Sequence, residues 1–479
     1  MIALRVGTAV VLALILAAGC GSRASDADIR AGVGGSDVVT LDQKSLDALR
    51  TLAGPRGGTA HEPAAEVTAT TPTSPPVSPL TSAVATSPPT APVSGTEPQR
   101  PTNIRPGSCA GAEVPLNLGQ IGSFGGVAGP LTTSTRTALA IWAKHVNDRG
   151  GLACHPVNLY AVDDGGDPSR AGALVGELVN QHHVQALVGV MSFGLAGIIP
   201  AIEREKLPVI GGDLVAPQWF AHPLLFPQGA GLNAIVDGAV QQVVNSGKTT
   251  HGMVYCVEVS VCSDVAEQYP LSVEAAGARL AYRSPVSVTQ TDYTAQCQNA
   301  KSAGVQALSV VLDGSAIARL ARSCAALGYH PQFVIAGGLV SSAQAEDPGI
   351  RANTMATASA NAPWMRTDTP GQKEFAEALA RYAPAFSPDG LSMLGWAAGK
   401  LFEAAIERLG DAGVTGLISA AAILRGLGQV KNETLGGLSP PITFHPGQRA
   451  APEIHCVYFE LLTSRGWAAP TGSTPVCRR

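Results

Sequence analysis

Apolar and polar positions along this chain follow two alternating periods. From about Val114, apolar runs of strand length (LNLGQIGSF, VNLYAVDD, VQALVGV and LPVIGG) are separated by longer stretches with apolar residues at helical spacing (TSTRTALAIWAKHVNDRG, PSRAGALVGELVNQ and GLAGIIPAIEREKL). Continuous apolar strands between helices predict a parallel sheet covered on both faces. A second series begins near Thr250 with HGMVYCVE and runs through SDVAEQYPLSVEAAG, ARLAYRSPVSV, VQALSVVLD and SAIARLARSCAALG to FVIAGG. Two such series, about 370 residues together, are too many for one sheet and suit two domains. The expected class is α/β.

The first hundred residues have a different texture. Residues 1–19 read as an export signal: Arg5, an apolar run from Val6 to Leu16, then Ala17, Ala18 and Gly19. The run is too short to span a bilayer, which takes roughly 20 apolar residues. Its end, LAAGCG, resembles a bacterial lipoprotein signal, which implies lipidation of Cys20 and a signal over 1–20. Ala17 stands where such signals prefer leucine, and Ala17-x-Gly19 also suits an ordinary secretory cut. Every aromatic residue lies at or beyond Phe124, while twelve prolines fall between Pro55 and Pro106 among Thr, Ser and Ala. With so little to bury, residues 21–111 are expected to be a disordered stalk. At that length it would span on the order of 50 Å. Within it, LDQKSLDALRTLAG places leucines at helical spacing and receives no function.

A formal charge of −4 offers no basic face for nucleic acid. There are nine cysteines. If Cys20 carries lipid, the remaining even set is Cys109, Cys154, Cys256, Cys262, Cys297, Cys324, Cys456 and Cys477, which suits disulfides in an oxidising compartment. Sequence alone allows 105 pairings. Neither C-x-x-C nor H-E-x-x-H occurs, so no metal site is expected.

Several motifs, in order, carry a family resemblance. IGSFGGVAGP is followed by a helix ending in Asn147, Gly150 and Gly151, then by Asp163, Asp164, Asp167 and Pro168. Val188, Gly189 and Ser192 end a strand, Pro208 to Ile210 begin the next, and GWAAGKLFEAAIERLG and PITFHPGQR come late in the chain. Over roughly residues 115–470 this resembles the type I periplasmic solute-binding proteins, nearest the leucine/isoleucine/valine-binding type that serves ABC importers. The resemblance implies two doubly wound parallel-sheet lobes, a Venus flytrap with a ligand cleft between them. Lobe 1 would comprise residues 112–230 plus 361–437, and lobe 2 residues 231–360 plus 438–479.

In open parallel sheets, ligands gather beyond the carboxyl ends of the strands. The loop Gly122–Gly129, with Phe124 and Gly125, is expected there, its backbone N–H groups free to hold an anionic group. Ser192, before Phe193, reads as a helix cap, and the resemblance adds a contact with a ligand carboxylate. Gly211, Gly212 and Asp213 follow the fourth strand, with Leu214 and Val215 where a threonine is expected. In the second lobe, Val261 and Cys262 replace the family's tyrosine and glycine. Gly337, Gly338 and Leu339 stand where an acid commonly binds an ammonium. Asp313 either supplies that charge or caps the helix starting at Ser315. A buried ammonium without a carboxylate is costly, so the ligand need not be a standard α-amino acid. The two-lobe topology suggests sequential disulfides, Cys109–Cys154, Cys256–Cys262, Cys297–Cys324 and Cys456–Cys477.

Rival motifs fail on spacing. SGKTT lacks the glycine of a phosphate loop, and Gly247 within it reads as a helix C-cap. MSFG has Val190 where a nucleophile elbow needs glycine. Adjacent His182 and His183 diverge on a helix. The expectation is a non-enzymatic, monomeric extracytoplasmic binding protein that closes on a small polar solute, such as an amino acid or amide, and delivers it to an ABC permease. It needs no cofactor, and any membrane contact runs through the lipid at Cys20. The alternatives are a ligand sensor feeding a separate receptor and a secreted hydrolase using Ser192.

Overall fold

The computed structural model describes residues 114–478 except 337–338, 352–354, 411–415 and 448–450. The expected signal and stalk, with Cys20 and Cys109, lie outside the described residues, as do Gly337 and Gly338. The first series forms β1 (Leu116–Gly122), α1 (Thr133–Asp148), β2 (Val157–Asp163), α2 (Pro168–His182), β3 (Ala186–Val190), α3 (Leu195–Glu205), β4 (Val209–Gly212) and β5 (Leu225–Phe226). The second forms α4 (Leu232–Asn245), β6 (Thr250–Cys256), α5 (Ser260–Ala275), β7 (Arg279–Val286), α6 (Thr294–Ser302), β8 (Ala307–Val311), α7 (Gly314–Ala326) and β9 (Gln332–Ala336). After the short helices α8 (Ser342–Glu346) and α9 (Pro348–Arg351) come β10 (Met355–Ser359), α10 (Pro370–Tyr382), α11 (Gly390–Glu407) and α12 (Ala420–Gly428). β11 (Cys456–Thr463), β12 (Gly466–Ala468) and β13 (Val476–Cys477) close the chain.

Two sheets result. The first is five-stranded and parallel, in the order β2-β1-β3-β4-β5. The second has eight strands, β12-β11-β10-β9-β8-β6-β7 with β13 paired to β11. It is parallel through β10 and antiparallel at β11. Each order reverses beside its first strand, β1 or β6, leaving a crevice at the strands' carboxyl ends. The fold class is thus α/β with two lobes.

Local chemistry sets the helix ends. Asp167 caps α2 by accepting from the N–H groups of Ser169 and Arg170, and Pro168 occupies the first turn. Asp389 caps α11 by accepting from Ser392 N at 2.7 Å. After α4, Gly247 takes φ +85° and its N–H bonds Val244 O, the expected C-cap. Helix α11 is buried along nearly its whole length. Its Gly395 and Gly399 face Thr135 and Trp142 of α1 so closely that a Cβ at either position would collide with them. Bonds join Cys256 to Cys262, Cys297 to Cys324 and Cys456 to Cys477. Cys154 is also disulfide-bonded, and its expected partner Cys109 is outside the described residues.

The chain passes between the sheets more than once, and Asn361 stitches the passes together. Its Nδ2 donates to Gln228 O (2.9 Å) and Leu438 O (3.2 Å), and Ala362 N also donates to Leu438 O (2.8 Å). Beyond Leu438, Ile442 pairs with Glu433, and Phe444 sits edge-on to Phe226 of β5.

Candidate functional site

A cavity of about 140 Å³ opens where the carboxyl ends of the two sheets face each other. From the first sheet it receives Met191, Phe193, Asp213 and Val215, which follow β3 and β4. The first turn of α11 adds Leu391, Met393 and Leu394. The second sheet supplies Val311 and Leu312 after β8, Val261 and Val265 of α5, and the Cys256–Cys262 bridge. Leu232 and Ile235 of α4, Leu131, Leu339, Ala360 and Ala362 add to the apolar wall. The polar groups gather where the chain crosses between sheets: Ser359, Asn361 and Glu460.

Of the residues expected from sequence, Phe193, Asp213 and Val261 therefore line the cavity. Phe124, Gly125, Ser192, Gly211, Gly212 and Asp313 are not among its lining residues, and Gly338 is outside the described residues. The polar groups among the former have partners within the chain. Asp163 accepts from the backbone N–H groups of Phe124 (2.8 Å), Gly125 (3.2 Å) and Gly165 (3.0 Å). The amides expected to hold a ligand's anion thus hold a side chain instead. Burial pushes the Asp163 pKa up, but these three amides and Arg170 outweigh it and hold the pKa below the usual range.

Its neighbour Asp164 does the same for the serines. Ser192 Oγ donates to Asp164 Oδ2, Ser123 Oγ donates to Oδ1 at 2.7 Å, and Gly166 N donates to Oδ1 at 2.7 Å. Ser192 Oγ also accepts from Gly194 N at 2.9 Å, but Gly194, not Ser192 as expected, is the N-cap of α3, and it has no side-chain cap bond. Gly212 N donates to Gln228 Oε1 (3.0 Å), and Gln228 Nε2 donates back to Gly212 O (2.9 Å). Gly211 takes φ +69°, and a Cβ there would strike Ala398 of α11. Asp313 caps α7 through the N–H groups of Ser315 and Ala316.

The cavity's own polar groups are less satisfied. Asp213 Oδ1 accepts from Val215 N (3.0 Å) and Trp219 Nε1 (2.9 Å), and burial raises its pKa to about 6 against those two bonds. Glu460 is 1% exposed. Ser359 Oγ donates to its Oε2 at 3.0 Å, while its Oε1 has no partner. Burial raises its pKa to about 8, only partly offset by the Ser359 bond. Asn361 spends its amide hydrogens on the two carbonyls, leaving buried Oδ1 unpaired. Sequence reasoning missed Ser359, Asn361, Glu460 and the start of α11. One signal was visible: Glu460 is a lone acid in the apolar strand VYFELL.

Two facing sheets with a cavity at their carboxyl ends, walled by both, define a two-lobed solute-binding protein. The chain belongs to the periplasmic binding protein family, which it matches over residues 115–462. No curated protein sequence matches it. Among solved structures it is similar to the fatty acid ABC transporter substrate-binding protein of Thermomonospora curvata, with TM-score 0.63 and 20% identity over 74% of this chain and 91% of that one. An ABC transporter solute-binding protein from R. palustris in complex with benzoate gives 0.62 and 15% over 76% and 98%. The leucine-binding protein of Thermotoga maritima gives 0.59 and 17% over 74% and 97%.

Proposed function

We propose that this chain is the extracytoplasmic solute-binding component of an ABC importer, and that its solute is largely apolar. The observation that carries the reading is the cavity wall. Apart from Asp213, Ser359, Asn361 and Glu460, it is built almost wholly of aliphatic, aromatic and sulfur-bearing side chains, and apolar walls reward burial of apolar surface at roughly 25 cal/mol per Å². An empty apolar cavity of about 150 Å³ binds benzene, which sets the scale of the solute's body. The small polar solute expected from sequence loses its support, because its amide and hydroxyl ligands are engaged by Asp163, Asp164 and Gln228. The names of two structural neighbours, a fatty acid transporter protein and one holding benzoate, agree with an apolar solute.

The lobes close by rotation about the crossings that Asn361 ties together. They divide after 230 and after 360, and the packing of Phe444 on Phe226 favours a third crossing beyond Phe444 rather than after 437. Ser192, buried and hydrogen-bonded to a carboxylate, is read here as a structural residue rather than a nucleophile.

Thermal melting of the non-reduced protein against amino acids, amides, aromatic acids, alkyl acids and alcohols tests the solute. A ligand at about 1,000 times its Kd adds roughly 4 kcal/mol, a shift of several degrees. Shifts confined to the amino acids and amides would overturn the apolar reading. We assign a membrane anchor for this component to Cys20. Intact mass of the chain isolated from membranes is expected to show fatty-acyl groups on an N-terminal Cys20. An unmodified N-terminus created by cleavage elsewhere would refute the anchor.

A further inference from the structure

The inference concerns the polar end of the solute and rests on the reading of this cavity as the solute site. The cavity lining includes two side chains with an unpartnered polar atom, Asn361 and Glu460, linked through Ser359, which lies two residues before Asn361 and donates to Glu460. Asn361 Oδ1 is an acceptor whose identity is fixed, because the amide nitrogen is committed to Gln228 O and Leu438 O. Glu460 Oε1 is the free oxygen of a carboxyl group whose other oxygen accepts from Ser359, the last residue of β10. Both side chains are more than nine-tenths buried.

The charge of the floor follows from its surroundings. No Lys, Arg or His lines the cavity among the described residues, and its one other titratable side chain is the acid Asp213. An isolated buried carboxylate is expensive, and such a group takes up a proton instead. Glu460 is then a neutral acid able to offer an O–H, beside an Asn361 carbonyl that can only accept. An ammonium on the solute has no lone pair for that O–H and could pair with Glu460 only by displacing its proton. A carboxylate has no hydrogen for Asn361 and meets no cation to offset its desolvation. A hydroxyl group donates and accepts together.

We propose that the solute is a neutral, predominantly apolar molecule whose hydroxyl group is held between Asn361 Oδ1 and Glu460 Oε1 at the floor of the cavity. Asn361 also joins the three chain segments around residues 228, 361 and 438, so the hydroxyl docks on the structure about which the lobes move. Binding of the polar end and closure of the lobes are thereby linked through one side chain.

Two matched series test this at pH 7: benzyl alcohol, benzoate and benzylammonium, and octan-1-ol, octanoate and octylammonium, titrated calorimetrically into the full chain. The alcohol is expected to bind at least about tenfold more tightly than either charged analogue, the size of one hydrogen-bonded group lost. A carboxylate or ammonium that binds as tightly as its alcohol overturns the inference and leaves the apolar-solute reading standing. If neither series binds, that reading falls and takes this inference with it. Glu460→Leu supplies the second measurement: it is expected to erase the preference for benzyl alcohol over toluene while toluene binding stays. An undiminished preference for the alcohol in that variant assigns the hydroxyl elsewhere. The series on the unaltered protein stands if the variant does not fold.

Discussion

Acidic side chains of this chain differ in their relation to the cavity in a way that sequence alone does not assign. Asp163 and Asp164 fill the backbone and hydroxyl groups at the carboxyl end of β1 and β3 that were expected to serve a ligand. Glu460, distant in sequence and surrounded by apolar neighbours in β11, faces the cavity. Its folded pKa of about 8 lies above the ordinary 4.5, so the unfolded chain releases this proton first. Stability is therefore full below about 4.5 and declines as pH rises to about 8, by up to about 5 kcal/mol. Asp213 adds a smaller decline between 3.8 and about 6. Urea unfolding across pH 5 to 8 is expected to show the fall, and Glu460→Gln is expected to flatten most of it. An equally steep profile in the variant would place the titrating group elsewhere.

Among the helices, α11 is the organising element of the first lobe. It presents Gly395 and Gly399 to α1 and brings Leu391, Met393 and Leu394 to the cavity from its first turn. Its outer end is tied to α1 and α10 by a charge cluster centred on Glu374. That carboxylate contacts His145 Nε2 (3.1 Å), Arg149 Nη1 (3.0 Å) and Lys400 Nζ (3.0 Å), while Lys400 also reaches Glu403 (2.8 Å). Burial opposes ionisation of Glu374, but His145, Lys400 and Arg149 outweigh it and hold the pKa at about 2. A depressed carboxylate stabilises above its unfolded pKa of 4.5 and loses that contribution as pH falls towards 2. Glu374→Gln is expected to cost about 3 kcal/mol at pH 7 and to weaken the acid limb of the profile. A loss below about 0.5 kcal/mol would show that the cluster is a solvated surface feature.

At the level of the whole molecule, the two limbs set an optimum. Stability declines below about 4.5 through Glu374 and above it through Glu460, so these two groups place the optimum of the unliganded protein near that pH. A solute whose hydroxyl satisfies Glu460 in its neutral form offsets the decline above that pH, because binding to the folded state adds stability by mass action. The same contact acts on Asn361 and hence on the crossings between lobes. Affinity, pH response and closure thus meet at one small group of buried atoms.

The sequence by itself determined the two α/β series, their strands and helix caps, and membership of a family of binding proteins. These follow from short-range periodicity and from local caps such as Gly247, which act within a few residues. It also pointed to Phe193 and Asp213, because strand ends in such sheets converge on the crevice, while Val261 came from the family resemblance. Only the tertiary structure decided which polar groups remain free there. Hydrogen bonds between residues far apart in sequence, Asp164 to Ser192 and Gln228 to Gly212, consumed the expected ligands. They left Glu460 and Asn361 unpaired instead. A side chain's type fixes what it can bond, but its distant neighbours fix whether that capacity is already spent.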